Sequence, residues 1–302
     1  MQKKTIQKAI QSYVDTWLKT ITDEQLREDT RDSLVVSGGS ICSMFLKEPV
    51  NDYDIYLRDV NVAYRLAVYY AAGDIGTDNI LIGTKREEYL KQFNEHQHNI
   101  TKVIYENLKP EQVKLMIATG GQKTQHEDDG TLKFRPTFFS PNAISLSDKI
   151  QIVLRFTGTV EEIHKTFDFV HATNYFTFEE GLVTNLEAVE SILTKQLRYQ
   201  GSRYPLTTII RIKKFLKRNW NINAGEQLKV MFQISQLDLT NHWVLEDQLI
   251  GVDVAYFAKI IDILKLKTEK DPNFYLSYEY LCTIIDKVFN DEEDDSTTTQ
   301  PN

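Results

Sequence analysis

Two apolar periods alternate along this chain. Ile6, Ile10, Tyr13, Trp17 and Ile21 recur at three- and four-residue intervals, the spacing of one helical face, and predict an opening helix. Asp23, after Thr22, predicts the cap of a second helix over Glu24 to Asp32. Leu34-Val35-Val36 is a short apolar run that ends in Ser37-Gly38-Gly39-Ser40, after which Ile41, Met44 and Phe45 resume helical spacing until Pro49. Strand, glycine turn and helix are therefore expected in immediate succession. Asp52 to Arg58 alternates with period two and predicts a strand, and Val60 to Ala72 predicts a helix closed by Gly73.

The middle of the chain is less regular. Lys85 to Glu106 predicts a helix, Val113 to Ala118 a strand and Gly120 to Gly130 a polar loop, together an insertion at about 74–130. Phe134 to Phe139, Ala143 to Leu146 and Ile150 to Phe156 are β-prone runs separated by Ser-Pro-Asn and Ser-Asp turns, which predicts a small mixed sheet. A short helix over Val160 to Thr166 and a strand or extended segment over Phe167 to His171 follow. From about Glu179 the strong periodicities are helical, as in Ile209, Ile212 and Leu216 and again in Ala255, Ile260, Ile263 and Leu264. The expected fold is α+β: a small mixed-sheet head with flanking helices over 1–177, an all-α neck and body over 178–289, and an acidic, disordered tail over 290–302.

Composition agrees with two adjoining cores, since 41% of the 302 residues are apolar. No apolar run approaches the ~20 residues that cross a bilayer, and Met1-Gln2-Lys3-Lys4 does not open a signal-peptide core, so a cytoplasmic protein with no membrane partner is expected. Cys42 and Cys282 lie far apart and suggest neither a disulfide framework nor a zinc site. The net charge of -8 argues on average against a nucleic-acid ligand. Five of the acids, however, fall in the terminal run Asp291 to Asp295, and no acid occurs from Ser191 to Gly225, where Lys195, Arg198, Arg203, Arg211, Lys213, Lys214, Lys217 and Arg218 are concentrated.

The candidate chemistry lies at the glycine turn and the strand after it. Residues two apart in a strand project from one face, so Asp52 and Asp54 point together while Tyr53, Ile55 and Leu57 point the other way. Such a pair suits Mg²⁺, which binds one or two carboxylates and completes its octahedron with water and phosphate oxygens. Gly38 and Gly39 let the backbone approach an anion, and Ser40 with the free amides of the following helix supplies donors. Each motif alone is common as a solvated edge or a plain turn; their succession on neighbouring elements is what points to a site.

With these residues in place, the segment resembles the DNA polymerase beta-like nucleotidyltransferase superfamily. The 13 positions from Gly39 to Asp52 match the spacing of bacterial-type tRNA CCA-adding enzymes and their poly(A) polymerase relatives. Phe167-Asp168-Phe169-Val170-His171-Ala172-Thr173-Asn174-Tyr175 looks like that group's Arg-Arg-Asp-Phe-Thr-Ile-Asn-Ala motif, and Arg211 to Ile222 resembles its neck, with basic residues three and four apart followed by an aromatic and an aliphatic. The overall pattern is also similar to uncharacterised nucleotidyltransferase-like phage proteins, which implies the host cytoplasm as the place of action.

The resemblance implies an NTP substrate, an RNA 3′ end as acceptor, and transfer of NMP with release of pyrophosphate. It makes Asp52 and Asp54 the catalytic ligands of Mg²⁺, with two ions possible and Mn²⁺ able to substitute. Gly38, Gly39, Ser40, Arg211, Lys214 and Arg218 become nucleotide-binding residues. Asp168 is then a third catalytic carboxylate, a nucleotide contact or a pin between head and neck, and His171 a nucleotide contact, a proton shuttle or a structural histidine. The chain departs from the group where Cys42-Ser43 replaces an Arg-Asp pair, where Phe167 replaces an arginine, and where Gln151 stands in the strand expected to supply an acid. Two other readings therefore stand beside the first: a toxin-like transferase that modifies a protein or small molecule, and an inert module that uses the same scaffold for binding.

Overall fold

A computed structural model describes residues 2–75, 102–104, 114–116, 122–123, 133–140 and 142–239, with positions 244, 248, 266–267, 277, 279–280, 282–283 and 286. The chain opens with α1 (Lys3–Leu18) and α2 (Glu24–Ser33). Ile6, Ile10 and Trp17 are buried on α1 as the sequence predicts, with Val14 buried beside them and Tyr13 only partly so, and Asp23 caps α2 as predicted by accepting a hydrogen bond from the amide of Leu26. β1 (Leu34–Ser37), α3 (Gly39–Leu46) and β2 (Tyr53–Leu57) then follow in the expected order.

The remaining strands complete a mixed sheet of eight, ordered β10-β9-β1-β2-β8-β7-β6-β5. Its other members are β5 (Gln122–Lys123), β6 (Pro136–Ser140), β7 (Ala143–Leu146), β8 (Ile150–Thr157), β9 (Tyr175–Thr177) and β10 (Gly181–Val183). β1 pairs with β2 antiparallel, and β2 pairs with β8 parallel. The α+β class is thus the observed one.

One face of the sheet carries the main core. Leu34, Val36, Tyr53, Ile55, Leu57, Ile152 and Leu154 pack there against Ile6, Ile10 and Trp17 of α1 and Ala63, Leu66 and Tyr70 of α4 (Val60–Ile75). The indole N–H of Trp17 donates to the Tyr70 hydroxyl at 2.9 Å, which satisfies both polar atoms inside that core. The other face is only partly covered: Val35, Tyr56 and Val153 meet Val160 and Ile163 of α5 (Val160–His164), a short helix held by a Thr159–Glu162 capping box. A further cluster joins Cys42 of α3 to Ile192 of α6 (Leu186–Thr194), to Phe169, Leu197, Tyr199, Trp220 and Ile222, and to Val230 of α8 (Ala224–Ile234). Beside it runs α7 (Pro205–Leu216), which starts on a proline, a residue whose missing N–H costs nothing in the first turn.

Several expectations require correction. α4 runs through Gly73 to Ile75; a glycine ends a helix only where the chain adopts a left-handed turn, and otherwise it costs about 1 kcal/mol and is carried along. Residues 102–104, expected at the end of a helix, form β3 (Lys102–Ile104), which pairs antiparallel with β4 (Lys114–Met116) inside the strand expected at 113–118. Gln122–Lys123, expected in a loop, pair with β6. Phe167 to His171 makes only one bridge, from Phe169 to Tyr199, before a 3-10 turn over Val170–Ala172. β10 belongs to the sheet although it follows residue 178, because its backbone partners lie four to eight residues upstream in β9 and no periodicity can develop over so short a strand. The rest of the helix expected over 85–106, the periodicity at 255–264 and the tail at 290–302 lie outside the described residues.

Candidate metal and nucleotide site

β1 delivers the chain to Gly38, whose φ of 88° is one that residues bearing a Cβ rarely adopt. A Cβ here would also stand 3.0 Å from Oδ2 of Asp54, so the absence of a side chain brings the turn against that carboxylate. Ser37 anchors the approach: its hydroxyl lies 2.9 Å from the carbonyl of Asn174, 3.1 Å from that of Ala172 and 3.0 Å from Nε2 of His164. One hydroxyl proton serves a carbonyl, and Nε2 of His164 therefore donates to Ser37. Gly38 adds an N–H bond to the Ala172 carbonyl at 3.1 Å.

At Gly39 a Cβ would meet nothing within 4 Å. α3 begins there without a side-chain cap, so its first amides carry the positive end of the helix dipole with no capping oxygen. Ser40, one residue on, is buried, and its hydroxyl has no hydrogen-bond partner among the described residues. A buried hydroxyl left unmatched beside free amides is a donor set that an anion would satisfy.

Across from β1 the register places Ser37 opposite Asp54, Asp54 opposite Gln151 and Gln151 opposite Ser145. Directly opposed residues share a face, so these four form one polar row on the less covered side of the sheet. Asp54 is partly buried and its carboxylate accepts no hydrogen bond among the described residues. Burial first, and the neighbouring Asp52 second, push its carboxyl up to about 7, while Arg211 works the other way. Asp52 itself is exposed and stands just before β2. The two expected ligands are thus brought together, with Asp54 set deeper in the fold.

Asp168 has a different environment. It is 3% exposed, and its oxygens accept from the hydroxyls of Ser202 and Thr208, each at 3.0 Å, and from Nη1 of Arg211 at 2.7 Å. Its carbonyl accepts the amide of Gln200 at 3.0 Å. Asp168 therefore binds the start of the helical region to the sheet. Arg211, expected at a nucleotide, is that carboxylate's ion-pair partner. Arg218 is engaged as well: it pairs with Glu48, just beyond the far end of α3, and lies 3.5 Å from the Ser43 hydroxyl. Lys195 joins Glu48 at 3.3 Å, and the Arg218 hydrogen bond does most to hold the Glu48 carboxyl below its ordinary range. Lys214 alone of the expected basic stripe is exposed with no hydrogen bond or ion pair among the described residues.

His171 is buried among Phe169, Phe215 and Trp220, whose ring centroids lie 5.8, 4.6 and 4.7 Å away. Desolvation, with Arg218 adding to it, pushes its pKa down to about 3. A neutral imidazole in an aromatic cluster cannot shuttle protons near neutrality, and of the expected roles the geometry matches the structural one. Glu48, Ser202, Thr208 and His164 escape the sequence reading because these partners lie between 34 and 170 residues away. The one local hint was that Glu48 is the first acid after the glycine turn.

Among the described residues there is no group of three or more His, Cys, Asp or Glu side chains placed to hold a metal ion. The Asp52–Asp54 pair nonetheless fits Mg²⁺ in kind: two carboxylates, one of them desolvated and without a hydrogen-bond donor among the described residues, beside an uncapped helix start. Among the described residues no helix is long and apolar enough to cross a membrane.

The model of a family described as "Gabija anti-defense 2 family protein" matches residues 8–195. The curated protein Gabija anti-defense 2 of Bacillus phage SPbetaL7 is 19% identical over 265 residues, covering 87% of this chain and 51% of its own. The chain thus spans about half the length of the curated relative it matches. Among solved structures, the Thermotoga maritima CCA-adding enzyme complexed with tRNA is similar at 12% identity and a TM-score of 0.36, over 95% of this chain and 62% of that one. The Bacillus stearothermophilus CCA-adding enzyme in complex with CTP is similar at 10% identity and a TM-score of 0.30, over 76% and 47%.

Proposed function

The chain belongs to the Gabija anti-defense 2 family, and we propose that it opposes a Gabija defence in the host cytoplasm as an Mg²⁺-dependent nucleotidyltransferase. The reaction joins a hydroxyl oxygen of the acceptor to the α-phosphorus of an NTP, breaks the bond from that phosphorus to the bridging oxygen, and releases pyrophosphate. The observation that carries this reading is the unpaired Asp54, with Asp52 beside it, set against the uncapped start of α3 and the unmatched hydroxyl of Ser40.

Asp52 and Asp54 hold the metal, which when bound lowers the pKa of the attacking hydroxyl and offsets charge on the phosphates. Mn²⁺ suits the same oxygen set. The amides after Gly38 and the hydroxyl of Ser40 receive the β and γ phosphates, and Gly39 leaves room for their approach. Lys214 is an exposed cation of α7 that can close over the triphosphate. Asp168 does its work as a positioning residue, by fixing Arg211 and the start of α7 relative to the sheet. Such chemistry asks little covalent participation of the protein, since alignment and charge neutralisation lower the barrier.

The acceptor is a hydroxyl, and an RNA 3′ end is the first to test. The acid-free window from Ser191 to Gly225 favours RNA less than its charge suggests, because Lys195, Arg198, Arg211 and Arg218 are each ion-paired to Glu48, Glu190 or Asp168. This favours a protein hydroxyl as the second candidate. Purified protein is incubated with each α-labelled NTP, Mg²⁺ and either total RNA or extract of a Gabija-bearing host. Label entering RNA or protein, and absent with Asp54→Asn, supports transfer and identifies the acceptor class. Restored phage plating on the Gabija-bearing host by Asp54→Asn would instead sink the enzymatic reading in favour of a binding module.

A further inference from the structure

We infer that Gln151 limits this site to one resident divalent cation in the absence of nucleotide; the inference rests on the Asp52–Asp54 reading above. Gln151 is the register partner of Asp54 on the parallel strand β8, and Ser145 stands beyond it on β7. Opposed positions of adjacent strands share a face and lie about 5 Å apart. The position from which one more carboxylate would reach a second ion next to Asp54 is therefore filled by a neutral amide. Gln151 is partly buried, and its carboxamide makes no hydrogen bond among the described residues, so it is not committed to holding the sheet together.

Other acids are engaged elsewhere. Asp148, which together with Asp52 acts on Tyr13, already has its Oδ2 engaged by the Ser147 hydroxyl at 3.1 Å and the Phe134 amide at 3.3 Å. Asp168 is already committed to Ser202, Thr208 and Arg211. Glu48 is bound by Arg218 and Lys195 at the opposite end of α3, a helix of eight residues and hence ~12 Å long. Asp52 and Asp54 together carry the charge that one divalent ion neutralises. Two divalent ions about 4 Å apart repel four times as strongly as two monovalent ions at that distance, and the charge of Asp52 and Asp54 offsets only the first.

The inference is tested by titrating Mn²⁺ into the full-length protein without nucleotide and following the free-ion EPR signal, with circular dichroism as the check on folding. Wild type is expected to bind one ion, with affinity at least tenfold weaker in Asp54→Asn. Gln151→Glu, nearly isosteric, is expected to bind two, and Gln151→Leu to keep one. Two ions on wild type, one ion on a folded Gln151→Glu, or loss of the ion in a folded Gln151→Leu each overturn the inference while leaving the Asp52–Asp54 site in place. No ion on wild type removes that site itself, and the wild-type count needs no variant to fold.

Discussion

Asp54 and Asp168 lie within the electrostatic reach of one arginine, Arg211, yet they have opposite surroundings. Asp168 accepts three side-chain hydrogen bonds and is sealed from solvent. Asp54 accepts none among the described residues, and burial together with Asp52 works against its charge. A desolvated carboxylate whose charge is matched by the protein holds structure; one whose charge is left unmatched is costly until a ligand arrives. The contrast separates the pin of this fold from its candidate site more clearly than residue type does, since both are aspartates.

Removing each partner tests the contrast. Asp168→Ala strands Arg211 and leaves the buried Ser202 hydroxyl without an acceptor, and should destabilise by about 3 kcal/mol, the scale for breaking a buried pair; urea unfolding at pH 7 reads it. Asp54→Asn should lower nucleotidyl transfer by at least about 100-fold, equivalent to about 2.7 kcal/mol in the barrier. Its stability without metal should rise, because the variant relieves both desolvation and the repulsion from Asp52. If Asp54→Asn unfolds as readily as Asp168→Ala, the two carboxylates are both structural and the distinction fails.

Acid should reveal the buried histidines next. Burial pushes His171 down to about 3 and His164 to about 4, whereas both protonate near 6.5 in the unfolded chain. The unfolded state then binds more protons, so the stability they contribute is complete above pH 6.5 and falls with pH by about 1.4 kcal/mol per unit for each. Asp54, raised to about 7 from 3.8, opposes this, because the folded state takes up its proton first. The net expected loss from pH 6.5 to 5 is about 2 kcal/mol. His171→Phe should remove one histidine and leave the urea midpoint nearly flat over that interval; an unchanged slope would mean that His171 is hydrated. Glu48→Gln should have the smallest effect, about 1 kcal/mol, since Glu48, Arg218 and Lys195 each remain roughly one-third exposed and water screens the cluster. A double-mutant cycle with Arg218→Met measures that coupling.

Local chemistry made the candidate site legible. The run Leu34 to Ser40 had to leave a strand through a glycine and enter a helix, and Tyr53 had to take the face opposite Asp54; both are properties of backbone period and of glycine's missing Cβ. Local pattern predicts a stop at Gly73, which α4 passes, and cannot mark β10, whose three residues are too few to display a period. It also overstated the basic helix: Arg211 and Arg218 keep the predicted spacing, but their charges are taken up by Asp168 and Glu48.

By itself, then, the sequence determined the α+β class, the order of strand, glycine turn and helix, and the closeness of Asp52 to Asp54. These depend on interactions within a few residues, where covalent geometry restricts the outcome. Tertiary structure alone decided which charges stay unmatched. Whether an aspartate meets an arginine 43 residues away, as Asp168 does, or faces a glutamine across a parallel pair, as Asp54 does, depends on how distant segments pack, and no local period records it.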